Sequence, residues 1–276
     1  MRILFLTTIV FGAMIAPAIA EDVARYQNLP PPPGLAWTGF YIGANGGWIG
    51  SINNNVTNSG TDAGIHGLGS LLLHGRIPSS ISLRQNGFVG GAQVGFNWQV
   101  APIWVLGMEA DFDLAGAKGK ATVAFPGVPG HVVPFSTVYN RELDTLGTFR
   151  TRAGFLSSPS LLWFATGGIA FGQSSLGSAF LCDLCGPPTA TQAATAGQSG
   201  KTAVGWTLGT GVEWSFAPSW SVKAEYLYVN FGSQNNTIWY TYGPHGALIN
   251  ASSLTSTATD SDNVARVGLN YQFDTF

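Results

Sequence analysis

The sequence predicts an all-β fold, an eight-stranded antiparallel up-and-down transmembrane β-barrel with four long extracellular loops and three short periplasmic turns. Two observations carry this prediction, and the first is that apolar and polar residues alternate with a period of two, which places them on opposite faces of strands. The second is composition, because only 9% of the residues are charged although 45% are hydrophobic. Soluble domains average about a quarter charged residues, whereas a barrel in lipid cannot carry charge on its outer face.

The start of the chain has the composition of an export signal. Arg2 precedes an apolar run, and small residues lead up to Ala20. This pattern predicts a signal peptide over residues 1–20 that is cleaved after Ala20. A proline-rich linker over residues 21–36 is expected to be extended, and residues 37–276 form the barrel domain.

The alternation is clearest over Lys201–Phe231, which reads as two strands joined by a short turn. Their parity places Val212 opposite Ala224, and Glu213 opposite Lys223 on the inner face. Opposite charges on directly paired residues make a favourable cross-strand contact. The apolar face of both strands carries aromatic residues near its ends, as in a strand that faces lipid.

Six further stretches alternate in the same way. They are Trp37–Trp48, Gly87–Val100, Trp104–Leu114, Leu143–Phe155, Leu161–Gln173 and Asn263–Phe273. Strands of about 9–11 residues suffice for a tilted crossing of the membrane. An even number closed on itself leaves no unpaired edge in lipid.

The connections between these strands alternate between short and long. The short ones each contain a proline, and face parity predicts three-residue loops at 101–103, 158–160 and 217–219. The long ones, rich in glycine, serine and asparagine or in proline, are predicted as loops at about 50–86, 115–141, 174–200 and 232–261. Aromatic residues on the outward face predict an interfacial girdle. Its members are Trp98, Trp104, Trp163, Trp214, Trp220, Tyr226, Tyr228 and Tyr271.

The inward face carries a set of charges. The predicted lumen charge network is Glu109, Asp111, Asp113, Arg150, Arg152, Glu213, Lys223, Glu225 and Arg266, and parity also places Asp144 on this face. One interpretation is the selectivity lining of a narrow pore. The other is a paired network that fills the barrel, which we favour because eight strands enclose a space just wide enough for side chains.

No arrangement of residues predicts catalysis, a cofactor or a metal site. Cys182 and Cys185 form a C-x-x-C without a second ligand pair, and an exported protein favours a disulfide between them over free thiols or a functional site. A Ser-His-Asp site needs rigid placement of three groups, and all four histidines fall in predicted loops. They are His66, His74, His131 and His245.

Two motifs resemble a known family. The W-T-G-F-Y-I-G at Trp37–Gly43 and the closing V-G-L-N-Y-Q-F at Val267–Phe273 are similar to the alphaproteobacterial outer-membrane immunogenic proteins. These form a porin family of opacity-like, OmpA-like eight-stranded barrels in Gram-negative bacteria, and the resemblance covers the whole chain. It implies that the barrel-assembly machinery reads an aromatic at the end of the last strand. The candidate residues for this signal are Leu269, Tyr271 and either Phe273 or Phe276, since Phe276 is terminal but out of phase with Phe273.

The expected location is the outer membrane, crossed many times, and the expected role is structural and surface-interactive. That role comprises envelope integrity and service as a surface antigen or adhesin through long loops. Expected partners are outer-membrane lipid, lipopolysaccharide, the barrel-assembly machinery, and host or surface ligands. The net charge of −2 gives no reason to expect nucleic acid. The alternatives are a porin-like passive channel for small solutes or ions and, third, an outer-membrane enzyme or a haem-binding protein of the kind that the resemblance includes.

Overall fold

The computed structural model describes residues 37–61, 68–129, 134–182, 192–242 and 250–273. The predicted signal peptide and linker therefore lie outside the described residues. Within the described residues, no helix is both long enough and apolar enough to span a membrane.

Eight long antiparallel strands form a closed ring, which confirms the predicted fold class. In chain order the elements are β1 (Gly39–Ser51), β2 (Asn55–Thr61), α1 (Leu68–Leu73), β3 (Ser80–Ser82), β4 (Asn86–Ala101), β5 (Trp104–Phe125), β6 (Phe135–Ser158), β7 (Leu161–Cys182), β8 (Gln192–Ala217), β9 (Trp220–Tyr242) and β10 (Asn250–Gln272). The ring runs β1-β4-β5-β6-β7-β8-β9-β10, and β10 pairs back with β1. Closure satisfies the backbone of every long strand, as lipid requires. The short strand β2 pairs with the outer part of β10, and β3 pairs with β2.

Most of the long connections are strand rather than loop, which differs from the prediction. β8 has 26 residues, and the stretch 50–86 contains β2, α1 and β3. These segments are rich in serine, threonine and asparagine, so their outward positions are polar and the apolar alternation that marks the membrane strands is weak. They fold as strands because their inward positions still bury apolar side chains such as Leu254 and Ile238.

The outward side chains mark where lipid contact ends. On β10 the odd-numbered positions are apolar from Tyr271 to Ala265 and polar from Asn263 onward. The same change occurs on other strands, from Phe88 to Asn86, Leu114 to Lys118, Phe171 to Gln173, Val204 to Thr202 and Tyr228 to Asn230. We call the apolar zone the lipid band, and the barrel beyond it, with β2, β3 and α1, the β-tower.

The three short turns differ from the predicted three-residue loops. Ala101 pairs with Trp104, Ser158 with Leu161, and Ala217 with Trp220, so each turn has two residues and begins with proline. A register shift precedes each turn, for example between Ser215 and Ala217. A bulge adds one residue to a strand, so a bulge with a two-residue turn preserves the same face parity as a three-residue loop.

The barrel interior is filled in tiers that follow one another along β6. From the periplasmic end, its large inward residues are Leu156, Arg152 and Arg150, Leu146 and Leu143, Arg141, Tyr139 and Phe135. Leu156 packs with Trp37, Val105 and Leu162 at the periplasmic end. Leu143 and Leu146 belong to a middle apolar tier with Ile49, Val89, Leu227, Val229 and Val264. Tyr139 and Phe135 belong to two upper apolar tiers inside the β-tower.

Candidate functional site

All nine predicted lumen charges point into the barrel, where their exposure is 5% or less. β5, β6, β8, β9 and β10 supply them, so they converge from most of the ring. Small residues between them make room for long side chains. At Gly95, for example, an added Cβ would lie 2.3 Å from the ring of Tyr41. Asp144 is the exception to the parity, because a bulge between Leu143 and Thr145 turns it outward.

Arg150 lies at the centre of this charged tier and has an exposure of 0%. Its Nη1 donates to Glu225 Oε1 at 2.6 Å. Its Nη2 donates to Asp111 Oδ2 at 2.8 Å and also to Glu109. One guanidinium thus joins three carboxylates that come from β5 and β9, which suits the fixed fork of an arginine.

Arg266 and Arg152 extend the network to either side. Arg266 donates from Nη1 to Asp113 at 2.6 Å and from Nη2 to Asp111 at 2.8 Å. Arg152 donates to Glu213 Oε2 at 2.6 Å, and its guanidinium carbon lies 4.5 Å from the centre of the Phe164 ring.

The predicted register of Glu213 against Lys223 is correct, and so is that of Val212 against Ala224. The ionic contacts are different. Lys223 Nζ lies 2.7 Å from both carboxylate oxygens of Glu109, while Glu213 pairs with Arg152. In a narrow lumen a long side chain reaches the opposite wall as easily as its neighbour, so backbone register does not fix the ion pair.

The charged tier therefore contains five carboxylates and four cations, all buried. Neutral donors complete it, including Tyr41, whose hydroxyl donates to Glu109 at 2.6 Å, and Thr148, Ser221 and Asn270. Buried ions are tolerated when they are paired and hydrogen-bonded. This arrangement holds the walls of the barrel together and fills its cross-section.

A second polar tier lies beyond the lipid band, where Arg141 pairs with Asp260. Ser174 and Gln234 also donate to Asp260, at 2.6 and 2.8 Å. Asp262 lies beside it with an exposure of 0%, and neither of its oxygens accepts a hydrogen bond from the described residues. Burial and the neighbouring carboxylate of Asp260 raise the pKa of Asp262 to about 7, against a smaller opposing effect of Arg141.

The predicted girdle residues lie on the outward face, in two groups. Six are near the periplasmic end, where Trp220 and Tyr271 pack with ring centroids 5.1 Å apart. Tyr226 and Tyr228 are near the outer end of the lipid band. Of the residues predicted as the assembly signal, Leu269, Tyr271 and Phe273 point outward, and Phe276 lies outside the described residues.

The sequence-based reasoning missed several residues that the structure brings into these sites. The sequence pattern assigns Tyr41 no role, Arg141 and Asp260 lie in segments predicted to be loops, and Asp262 lies between a predicted loop and the last predicted strand. Trp48 and Trp206 complete the outer aromatic group: Trp48 packs 4.8 Å from Phe88, and Trp206 packs 5.2 Å from Tyr228. Both tryptophans occupy outward positions of the alternating pattern near the outer edge of the lipid band, and this position was the sequence signal that could have identified them.

The cysteines and histidines are only partly described. Cys182 is the last residue of β7, and its predicted disulfide partner Cys185 lies outside the described residues, as do His66, His131 and His245. In the described part of the chain no three His, Cys, Asp or Glu side chains are grouped to hold a metal.

His74 lies beside Ser70, with its Nδ1 3.4 Å from the serine hydroxyl and 2.8 Å from the Ser70 carbonyl oxygen. A carbonyl oxygen only accepts hydrogen bonds, so Nδ1 carries the proton. Nδ1 therefore cannot act as the base for this serine. The contact instead caps the C-terminal end of α1.

Comparisons with known proteins identify the family of this chain. The profile of the outer membrane protein beta-barrel domain family matches residues 6–273. The chain is 30% identical to the 31 kDa outer-membrane immunogenic protein of Brucella melitensis, over 95% of this chain and 94% of that protein. It is 25% identical to the 22 kDa outer membrane protein of Rhizobium leguminosarum, over 76% of this chain and 71% of that protein. The solved structure of OprG from Pseudomonas aeruginosa matches with a TM-score of 0.42 and 10% identity, over 86% of this chain and 97% of that one. The chain therefore belongs to the outer membrane protein β-barrel domain family and is an outer-membrane protein.

Proposed function

We propose that this protein is a non-conducting barrel that carries the β-tower outside the cell, with a structural and surface-interactive role. In the cell it contributes to envelope integrity and, as an antigen or adhesin, to surface contact. The 31 kDa relative is named an outer-membrane immunogenic protein, which is consistent with exposure at the cell surface.

The observation that carries the proposal is the continuous filling of the lumen. The inward positions of β6 alternate between apolar and charged tiers from Leu156 to Phe135, and Arg150 and Leu146 both have an exposure of 0%. An ion would have to displace paired charges and then cross the middle apolar tier, where nothing replaces its hydration shell. The β-tower has a packed core of its own, which favours a rigid surface for recognition.

The conductance of single folded molecules in a planar bilayer tests this proposal. We expect no conducting events from the native protein. Steady, ion-selective openings would contradict it and would favour the porin-like channel, with Arg150 and Arg152 as lining residues.

The surface role has a separate test. Antibodies raised against the refolded protein should bind intact cells, and protease treatment of those cells should abolish binding while a membrane-protected fragment remains. Failure of the antibodies to bind cells that contain the folded barrel would argue against surface exposure of the β-tower.

A further inference from the structure

A cluster of three cations lies on the outer wall of the barrel next to the lipid band. Lys118 and Lys120 are exposed on the outward face of β5, and Arg84 is exposed two residues before β4. The two elements are adjacent, since Asn86 pairs with Lys118, and an added Cβ on Gly119 would lie 2.5 Å from the carbonyl oxygen of Arg84. We call these three residues the basic patch.

The basic patch begins where lipid contact ends. Along β5 the outward residues are apolar up to Leu114, which is 69% exposed, and Lys118 and Lys120 follow. On the neighbouring strand Phe88 is 76% exposed and the outward residues before it are Asn86 and Arg84. The side chains of the basic patch are therefore at the level of the lipid headgroups on the extracellular side.

Cations are scarce on this protein, which makes the cluster unusual. Of the 12 lysines and arginines in the sequence, five are committed to ion pairs inside the barrel, namely Arg141, Arg150, Arg152, Lys223 and Arg266. Among those with described side chains outside the lumen, only Arg76 lies apart from the basic patch.

The basic patch keeps a net positive charge. Glu142 pairs with Lys118 in the β5–β6 register, and the outward Asp144 lies two residues further along β6, so these two carboxylates offset two of the three charges. Within the described residues, no carboxylate forms an ion pair with Arg84, Lys118 or Lys120. The corresponding positions on the far wall are neutral, as at Gln173, Thr202 and Asn263.

We propose that the basic patch binds the phosphate groups of lipopolysaccharide in the outer leaflet. Phosphate is the anionic group that lipid presents at this level, and lysine and arginine are its usual partners. A basic residue at a charged membrane surface contributes about 1 kcal/mol, or about a fivefold change in affinity. This proposal assigns the lipopolysaccharide contact to one side of the barrel.

The test compares a charge-neutral variant of the basic patch with a matched control. The full-length folded protein, as the native chain, as K118Q/K120Q or as R76Q, is placed in zwitterionic vesicles that contain lipopolysaccharide with phosphorylated lipid A. After mild detergent extraction, the lipopolysaccharide that remains on each barrel is measured. We expect the native protein and R76Q to retain it equally, and K118Q/K120Q to bind it about fivefold more weakly for each lysine lost.

A second arm uses the native protein alone, so it does not depend on the folding of any variant. Lipopolysaccharide whose lipid A has been enzymatically dephosphorylated should be retained much less than the phosphorylated form. Equal retention of the two forms, or retention by a folded K118Q/K120Q that matches the native protein, would overturn the proposal.

Discussion

At the scale of single residues, the two buried polar tiers differ in how well their charges are compensated. Arg150 is surrounded by three carboxylates in hydrogen-bond contact. Asp262 is buried without a donor, beside an Asp260 that already accepts from Arg141. Removing Arg150 should therefore be costly, whereas at Asp262 the costly change should be ionisation.

Replacing Arg150 by alanine should therefore destabilise the barrel by about 3–5 kcal/mol, because Glu109, Asp111 and Glu225 would lose a shared partner. Lysine at this position should restore little, since a single ammonium lacks the fork of the guanidinium. Urea unfolding of the barrel in lipid vesicles measures both. The exposed Arg84→Ala should change the free energy of unfolding by less than about 0.5 kcal/mol, and a similarly small effect for Arg150→Ala would contradict the role given to the charged tier.

Asp262 should make stability depend on pH. Its pKa is raised from 3.8 to about 7 in the folded protein, so the folded state binds a proton that the unfolded state has released. Stability should therefore be highest below about pH 4 as far as this group is concerned, and should fall as pH rises towards 7, by up to about 1.4 kcal/mol per pH unit. Above pH 7 its contribution should be constant.

Asp262→Asn removes this titration, so urea unfolding at several pH values should show a shallower fall between pH 4 and pH 7. The variant should be more stable than the native protein above pH 7. The exposed Asp144→Asn serves as the control. An unchanged pH profile in Asp262→Asn would mean that the carboxyl is compensated in some other way.

At the scale of elements, period-two alternation was enough to locate the eight membrane strands and to pair Glu213 with Lys223 correctly. It could not locate the β-bulges, because no residue type in the sequence marks their positions. A bulge with a two-residue turn has the same parity as a three-residue loop, as at Ala217. A bulge inside a strand reverses it, as at Asp144. The strands of the β-tower were predicted as loops because, outside the membrane, polar residues are common both on the outward faces of strands and in loops.

The β-tower should unfold separately from the membrane part when its own core is weakened. Leu254 has an exposure of 0% and packs with Leu68, Ile77 and Phe135. Its replacement by alanine should cost about 2–5 kcal/mol. Limited proteolysis should then cut the β-tower while the heat-modifiable gel mobility of the membrane barrel persists. Leu73→Ala, at a leucine that is 85% exposed, is the control. Loss of the whole barrel in Leu254→Ala would show that the two parts fold as one unit.

At the scale of the whole molecule, the tiers act as barriers in series along one lumen. The charged tier requires an ion to break paired contacts, and the middle apolar tier offers no polar group in place of water. Because each tier closes the cross-section, removing one should leave the other in place. The sequence identified the charged tier by parity, but it did not indicate that apolar side chains close the same lumen above it.

Conductance in planar bilayers should therefore require changes in more than one tier. R150A/R152A, which opens the charged tier, and L143A/L227A, which opens the middle apolar tier, should each stay silent or nearly so. The variant that combines all four substitutions should leak more than either pair, because it opens both tiers within the lipid band and leaves the Leu156 cluster and the upper tiers of the β-tower as the remaining closures. Gel mobility before and after heating establishes that each variant is folded. Full conductance in R150A/R152A alone would mean that the apolar tier is no barrier, and that the charged tier by itself keeps the native barrel closed.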